Sequence, residues 1–275
     1  MNALSENPAE PGEIVDIRSR LEFPLDLTLV GIEVGWQPGE SEPNKWSFTA
    51  GAHTNISNPS SSMTDEDWVG SKHLAYTESD GDLRLILMTA GTAYRFREGE
   101  RSSLSLLLDM EYERIEQNLV GFEGWQGSLF SDNQYPVSGT APVVNYAVNY
   151  ASAQAGASFT YMAGRHYQLA ARATVGPAYA WDYDDHLLRG RLAEGSGWGV
   201  AVNSQLGIDL MPGFVAADWL TASLTGEFRF YHAEGEADQR WYRDEDMPEG
   251  TVIEGLPHEL ESLQYGLTLS AGAVF

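Results

Sequence analysis

The chain contains no cysteine. Disulfides, thiolate nucleophiles and cysteine-based metal sites are excluded at the outset. Lysine is almost missing too: Lys45 and Lys72 stand alone among 275 residues, and every other cation is an arginine. With 16 Lys and Arg against 40 Asp and Glu, the formal charge is −24. That balance lacks the clustered basic surface that holds nucleic-acid phosphates, so no nucleic-acid partner is expected. It would draw cationic ligands toward any cleft the acids line. No run approaches the roughly 18 apolar residues of a membrane-spanning helix. The opening "MNALSENPAEPGE" has neither the basic nor the apolar segment of a secretion signal. Met1 is therefore expected either to begin a cytosolic protein or to replace a removed signal.

Helical periodicity is scarce as well. What recurs instead is alternation. In "DWLTASLTGEFRFY", Leu220, Ala222, Leu224, Phe228 and Phe230 share one face, with Thr221, Ser223, Thr225, Glu227 and Arg229 opposite. "GWGVAVNSQLGIDL" and "LQYGLTLSAGAVF" repeat the pattern. A period of two means strands. Nine are read, over about 14–36, 45–56, 75–97, 101–124, 141–163, 167–184, 197–211, 219–242 and 260–275.

A soluble sandwich also alternates, but its strands usually run about 5–6 residues. These run far longer, and their connections alternate between short ("REGER", "AGRH") and long and polar (57–74, 125–140, 187–196, 243–259). Short turns at one rim and long loops at the other suit a membrane barrel. Aromatic residues near strand ends (Trp36, Trp46, Tyr94, Trp219, Tyr265) suit interfacial girdles, and the chain ends on Phe275. The reading is an all-β, transmembrane, antiparallel up-and-down barrel of about ten strands with long extracellular loops. Residues 1–13 form a tail and 14–275 the single barrel domain. A strand of about 22 residues at a tilt of ~45° stands roughly 50 Å tall, about twice the apolar band, so the upper half should project outward. Bacterial barrels have even strand numbers. Either Pro24–Asp26 splits the first segment into a hairpin, or a tenth strand is missing or disguised within 1–13.

Parity then sorts "AYAWDYDDH". With Tyr179 and Trp181 outside, Asp182, Asp184 and His186 face the lumen at the loop rim, and Asp185 points away. Taken alone, this row reads first as a hydrated acidic mouth and only second as a site. "SSSMTDEDWVGS" adds Asp65 and Asp67 in another long loop. Together the two motifs resemble the omptins, outer-membrane endopeptidases with ten strands that cleave beside basic residues. "SRLEF" (19–23) and "VAVNSQLGIDLMPG" (200–213) are similar to strands of that family, so the resemblance covers nearly the whole chain.

The resemblance implies an aspartate/histidine hydrolase of the Gram-negative outer membrane, its site facing the extracellular side. Asp65 and Asp67 match the family's acidic couple, and Asp184 and His186 its Asp–His dyad, with a water held between the pairs. Asp182 matches an acid lining the primary specificity pocket. The chain is expected to begin after the family's first strand, which supplies that pocket's second acid. Lipopolysaccharide is the family's activator; only Arg114 falls in the area of its binding clamp. Implied partners are cationic peptides or proteins and outer-membrane lipid, with the chain a monomer. No cofactor and no metal are expected, because His53, His73, His166, His232 and His258 lie apart without metal-ligand spacing. The alternative is a barrel of the same ancestry with a structural, binding or channel role.

Overall fold

The computed structural model describes residues 2–6, 14–38, 45–57, 61–128, 131–210, 220–244 and 247–273. Trp219, Phe275 and residues 211–218 lie outside the described residues. One antiparallel sheet contains all twelve strands: β1 (Asn2–Glu6), β2 (Ile14–Glu22), β3 (Leu29–Trp36), β4 (Trp46–Asn55), β5 (Ser61–Val69), β6 (Lys72–Glu98), β7 (Ser102–Ser128), β8 (Ser131–Met162), β9 (Tyr167–His186), β10 (Arg191–Leu210), β11 (Leu220–Trp241) and β12 (Val252–Ala273). The path runs β1-β2-β5-β6 and then in chain order to β12, ten strands in all. Its ends approach one another where β1 lies beside β12. The upper wall is therefore a barrel.

Residues 2–6, expected within a tail, supply the tenth strand by pairing with β2. The chain is indeed interrupted at 23–28, but no hairpin forms there. Instead the partner changes: β2 pairs with β5 in the upper wall, and β3 with β4 below. β6 bridges both levels, taking β5 along its first part and β4 along 86–94. Asn55 closes the junction between them. Its side-chain amide donates to Leu83 O (2.8 Å) and accepts from Leu85 N (2.8 Å), completing the ladder as a backbone unit would.

The outer face explains which part meets lipid. On β7, Leu106, Leu108 and Met110 are 54–67% exposed, and above them stand Tyr112, then Arg114 and Glu116. β12 has the same order, with Leu269, Leu267, Tyr265 and Leu263 exposed below Glu261 and Glu259. At a tilt of ~45° the stretch from Leu104 to Tyr112 stands roughly 20 Å tall, close to the ~25 Å of an outer-membrane apolar band. Trp198, Tyr179 and Trp181 cluster at its upper edge, while Trp46 and Tyr94 pack together near the lower rim. Arg114 is engaged by Glu116 (2.7 Å) and Asn149 (3.0 Å).

Above the band the expected loops are largely strand. β5 occupies half of the stretch read as loop 57–74, and β7 and β8 extend to Ser128 and from Ser131. β10 starts at Arg191 and β12 at Val252. Glu234, Glu236 and Asp238 lie on β11, within the stretch read as a strand over 219–242.

Inside, Leu83, Leu85, Leu87, Ile115, Leu119, Val144, Val148 and Tyr150 form a buried cluster. Lower in the lumen the filling is polar: Tyr231 donates to Glu111, Asn203 donates to Glu111 (3.1 Å) and Gln264 donates to Glu113 (2.6 Å). Buried polar groups need such partners. Together they seal the lumen beneath the site.

Candidate active site

Small side chains leave room for a cleft. Ala180 on β9, Ala193, Gly195 and Gly197 on β10, and Ala233, Gly235 and Ala237 on β11 occupy positions where larger residues would fill the upper lumen. The resulting cavity has a volume of about 880 Å³. Ser19, Leu21 and Phe23 of the first long segment form one wall, and Phe23 stacks on Tyr146 with centroids 4.4 Å apart.

The alternating pleat of β9 carries Asp182, Asp184 and His186 inward, each less than a tenth exposed. Asp185 turns out and accepts a hydrogen bond from Tyr242 Oη (2.7 Å). His186 Nε2 lies 3.0 Å from Asp184 Oδ2. Burial pushes the Asp184 carboxyl up, but His186, Arg191 and His258 together outweigh it and hold the group below the usual carboxylate range. Asp184 is thus an anion beside an imidazole.

Asp65 and Asp67 stand on β5, not in a loop. They share a face, and Leu21 and Ser19 of β2 are their cross-strand neighbours. The hairpin turns tightly into β6 through Gly70, whose φ of 59° suits a residue without Cβ. Trp68 stacks on His73 (4.8 Å) beneath Arg18 (4.6 Å), anchoring the hairpin from its other side. Burial, then the charge of Asp67, raises the Asp65 carboxyl to about 6, against opposing pulls from His186 and Arg189. That response places Asp65 within electrostatic reach of the dyad. Oδ1 of Asp65 and Oδ1 of Asp184 are both buried without a protein hydrogen-bond partner among the described residues.

Three further residues join the site that sequence reasoning left out. Arg189 lies 3.7 Å from Asp67, Arg191 lies 4.0 Å from Asp184, and His258 Nε2 lies 2.9 Å from Asp182 Oδ1. Parity would have placed Arg191 inward with Ala193 and Gly195, had β10 been started at residue 191. His232, Glu259 and Glu261 have potential ligand atoms within 4.8 Å of one another. They stand with Glu234 on the outer wall, the His232 ring lying 3.3 Å from Glu234 and 3.5 Å from Glu259.

No family model and no curated protein sequence matches the chain. Among solved structures, the crystal structure of outer membrane protease OmpT from Escherichia coli is similar, with a TM-score of 0.72 and 11% identity. The likeness covers 98% of this chain and 91% of that one. At that identity it establishes the fold, an antiparallel barrel of the kind that outer-membrane protease has, and leaves the chemistry to the residues.

Proposed function

We propose that the protein is an omptin-like endopeptidase of the Gram-negative outer membrane, cleaving peptides next to basic residues at a site facing the extracellular side. The observation that carries this reading is the buried Asp184–His186 pair lining the cleft, with Asp65 near enough for both to act on its carboxyl, which burial raises to about 6.

With Nε2 committed to Asp184, His186 has Nδ1 left to take a proton. Nδ1 removes a proton from water as the water oxygen attacks the peptide carbonyl carbon, and Asp184 stabilises the imidazolium that forms. A proton shared between Asp65 and Asp67 meets the developing oxyanion, since two adjacent carboxylates resist double ionisation. Collapse of the tetrahedral intermediate breaks the C–N bond, and His186 returns its proton to the leaving amine. These steps use no serine, thiol, metal or cofactor. Asp182 supplies the anion that selects a basic side chain, and the −24 charge steers cationic peptides, the expected partners, toward the mouth. A single chain holds the whole arrangement, which suits a monomer in outer-membrane lipid.

One observation favours a second reading, a non-proteolytic barrel. Arg189, Arg191 and His258 each lie against one of the acids, as if the site were already neutralised. The test is incubation of the micelle-refolded protein with a quenched Arg-Arg peptide, wild type beside His186→Ala. Cleavage by wild type alone supports the protease. Absence of cleavage in both supports the second reading.

A further inference from the structure

Asp182 and His258 come from strands that are not neighbours, since β10 and β11 lie between β9 and β12. Their 2.9 Å contact is nearly enclosed, with side chains 7% and 13% exposed. Glycine makes the crossing feasible. Gly195 faces Asp182 in the β9–β10 register, and a Cβ there would lie 2.3 Å from His258 Cδ2 and 2.6 Å from Asp182 Oδ1. Gly235 is the direct partner of His258 on β11. The other ring nitrogen, His258 Nδ1, is buried without a hydrogen-bond partner among the described residues.

We propose that His258 is a specificity-determining residue: it sets the charge of the Asp182 pocket, which prefers a basic side chain while His258 is neutral and loses that preference when His258 is protonated. This rests on the reading of Asp182 as the pocket carboxylate. A neutral imidazole donates one hydrogen bond to Oδ1 and leaves the anion intact, with Oδ2 to receive a guanidinium. An imidazolium at the same distance cancels the carboxylate's charge and repels an arriving cation.

The surroundings contain other charges. On β9, Asp184 feels His258 but is bound to His186, and Arg191 of β10 lies against it. β8 presents Tyr146 and Tyr150, whose phenols burial raises away from ionisation near neutral pH. Glu234 of β11 and Glu259 and Glu261 of β12 are solvated and gathered round His232. Across the cleft on β2, Arg18 is stacked over Trp68 and Arg20 is paired with Glu22, both on the face opposite Ser19 and Leu21. None of these matches the enclosed contact between His258 and Asp182.

The test compares kcat/KM for a peptide with arginine at the cleavage site against the same peptide carrying citrulline, the neutral isostere, from about pH 5.5 to 8. Both substrates use the same dyad, so whatever pH dependence the dyad has cancels in the ratio. The arginine preference should rise with pH by roughly tenfold or more, as expected when one fixed countercharge is removed. In His258→Gln, which keeps a donor toward Asp182 but cannot be protonated, the ratio should be high and flat. A flat ratio in wild type, or the same rise in His258→Gln, overturns the proposal. If no peptide is cleaved at all, the protease reading fails on its own account. Calorimetric binding of arginine amide against citrulline amide then tests the pocket directly, and equal affinities at every pH overturn it.

Discussion

Arg189 reaches from the β9–β10 turn to within 3.7 Å of Asp67 on β5, tying the two halves of the mouth together. The value of about 6 for Asp65 therefore already includes a downward pull from this guanidinium. Arg189→Gln should move the Asp65 titration upward, so that more of the shared proton is retained at neutral pH. Carbon-detected NMR of the labelled carboxyl measures this. An unmoved titration would mean that the turn and the hairpin are electrostatically separate.

The dyad makes a sharper claim. Asp184→Asn keeps the shape but offers His186 the wrong hydrogen-bonding partner, so kcat should drop by about 10²–10⁴. His186→Ala should lose at least as much. Heat-modifiable gel migration should be unchanged in both, and a variant that fails to migrate as a folded barrel would make its kinetic loss uninformative.

Asp65 should cost stability where it is ionised. Its carboxyl lies at about 6 in the folded chain against 3.8 ordinarily, so the folded state binds more protons between those values. Stability attributable to this group is present at acid pH and is lost as pH rises through about 6. Asp65→Asn should therefore raise the urea midpoint at pH 8, by the equivalent of about 1–3 kcal/mol, and change it little near pH 3.5. Equal shifts at both pH values would contradict the burial argument.

Asp182→Asn should selectively penalise arginine and lysine substrates, by roughly 2–4 kcal/mol in kcat/KM, while slow cleavage at neutral residues persists. Glu234→Gln and Glu236→Gln change acids of β11, and the Glu234 side chain is 76% exposed. Their effect should be a modest slowing of association that vanishes in high salt. If all three variants behave alike, Asp182 contributes only to a general negative field.

Legibility in the sequence followed the lipid. Leu106, Leu108 and Met110, or Leu263 to Leu269, alternate with polar residues because one face meets an apolar medium and the other the lumen. Those strands and their inward parity could be read directly, and with them the inward row Asp182, Asp184 and His186. Above the band both faces are wet, the alternation fades, and Ser61–Val69 reads as an acidic loop although it is a strand. Pro257 disguised the top of β12 in the same way, although it pairs with Glu236. His258 looked isolated because its partner lies 76 positions away and is reached across two glycines. Cross-lumen contacts have no local signal. They appear only once barrel order and register are both known.

The amide splice at Asn55 has a consequence for how such a protein can change. β6 runs unbroken from rim to mouth, yet its partner along 86–94 is one segment and its partner along 72–81 another. Along this part of the wall the apolar band is built by β3 and β4 and the mouth by β2 and β5, and the Asn55 side chain continues the β4 ladder onto β6 by two hydrogen bonds. A different hairpin could be grafted above Asn55 without rewriting the staves below. The barrel is in this sense a socket: its threaded base stays constant while the fitting at the top is exchanged.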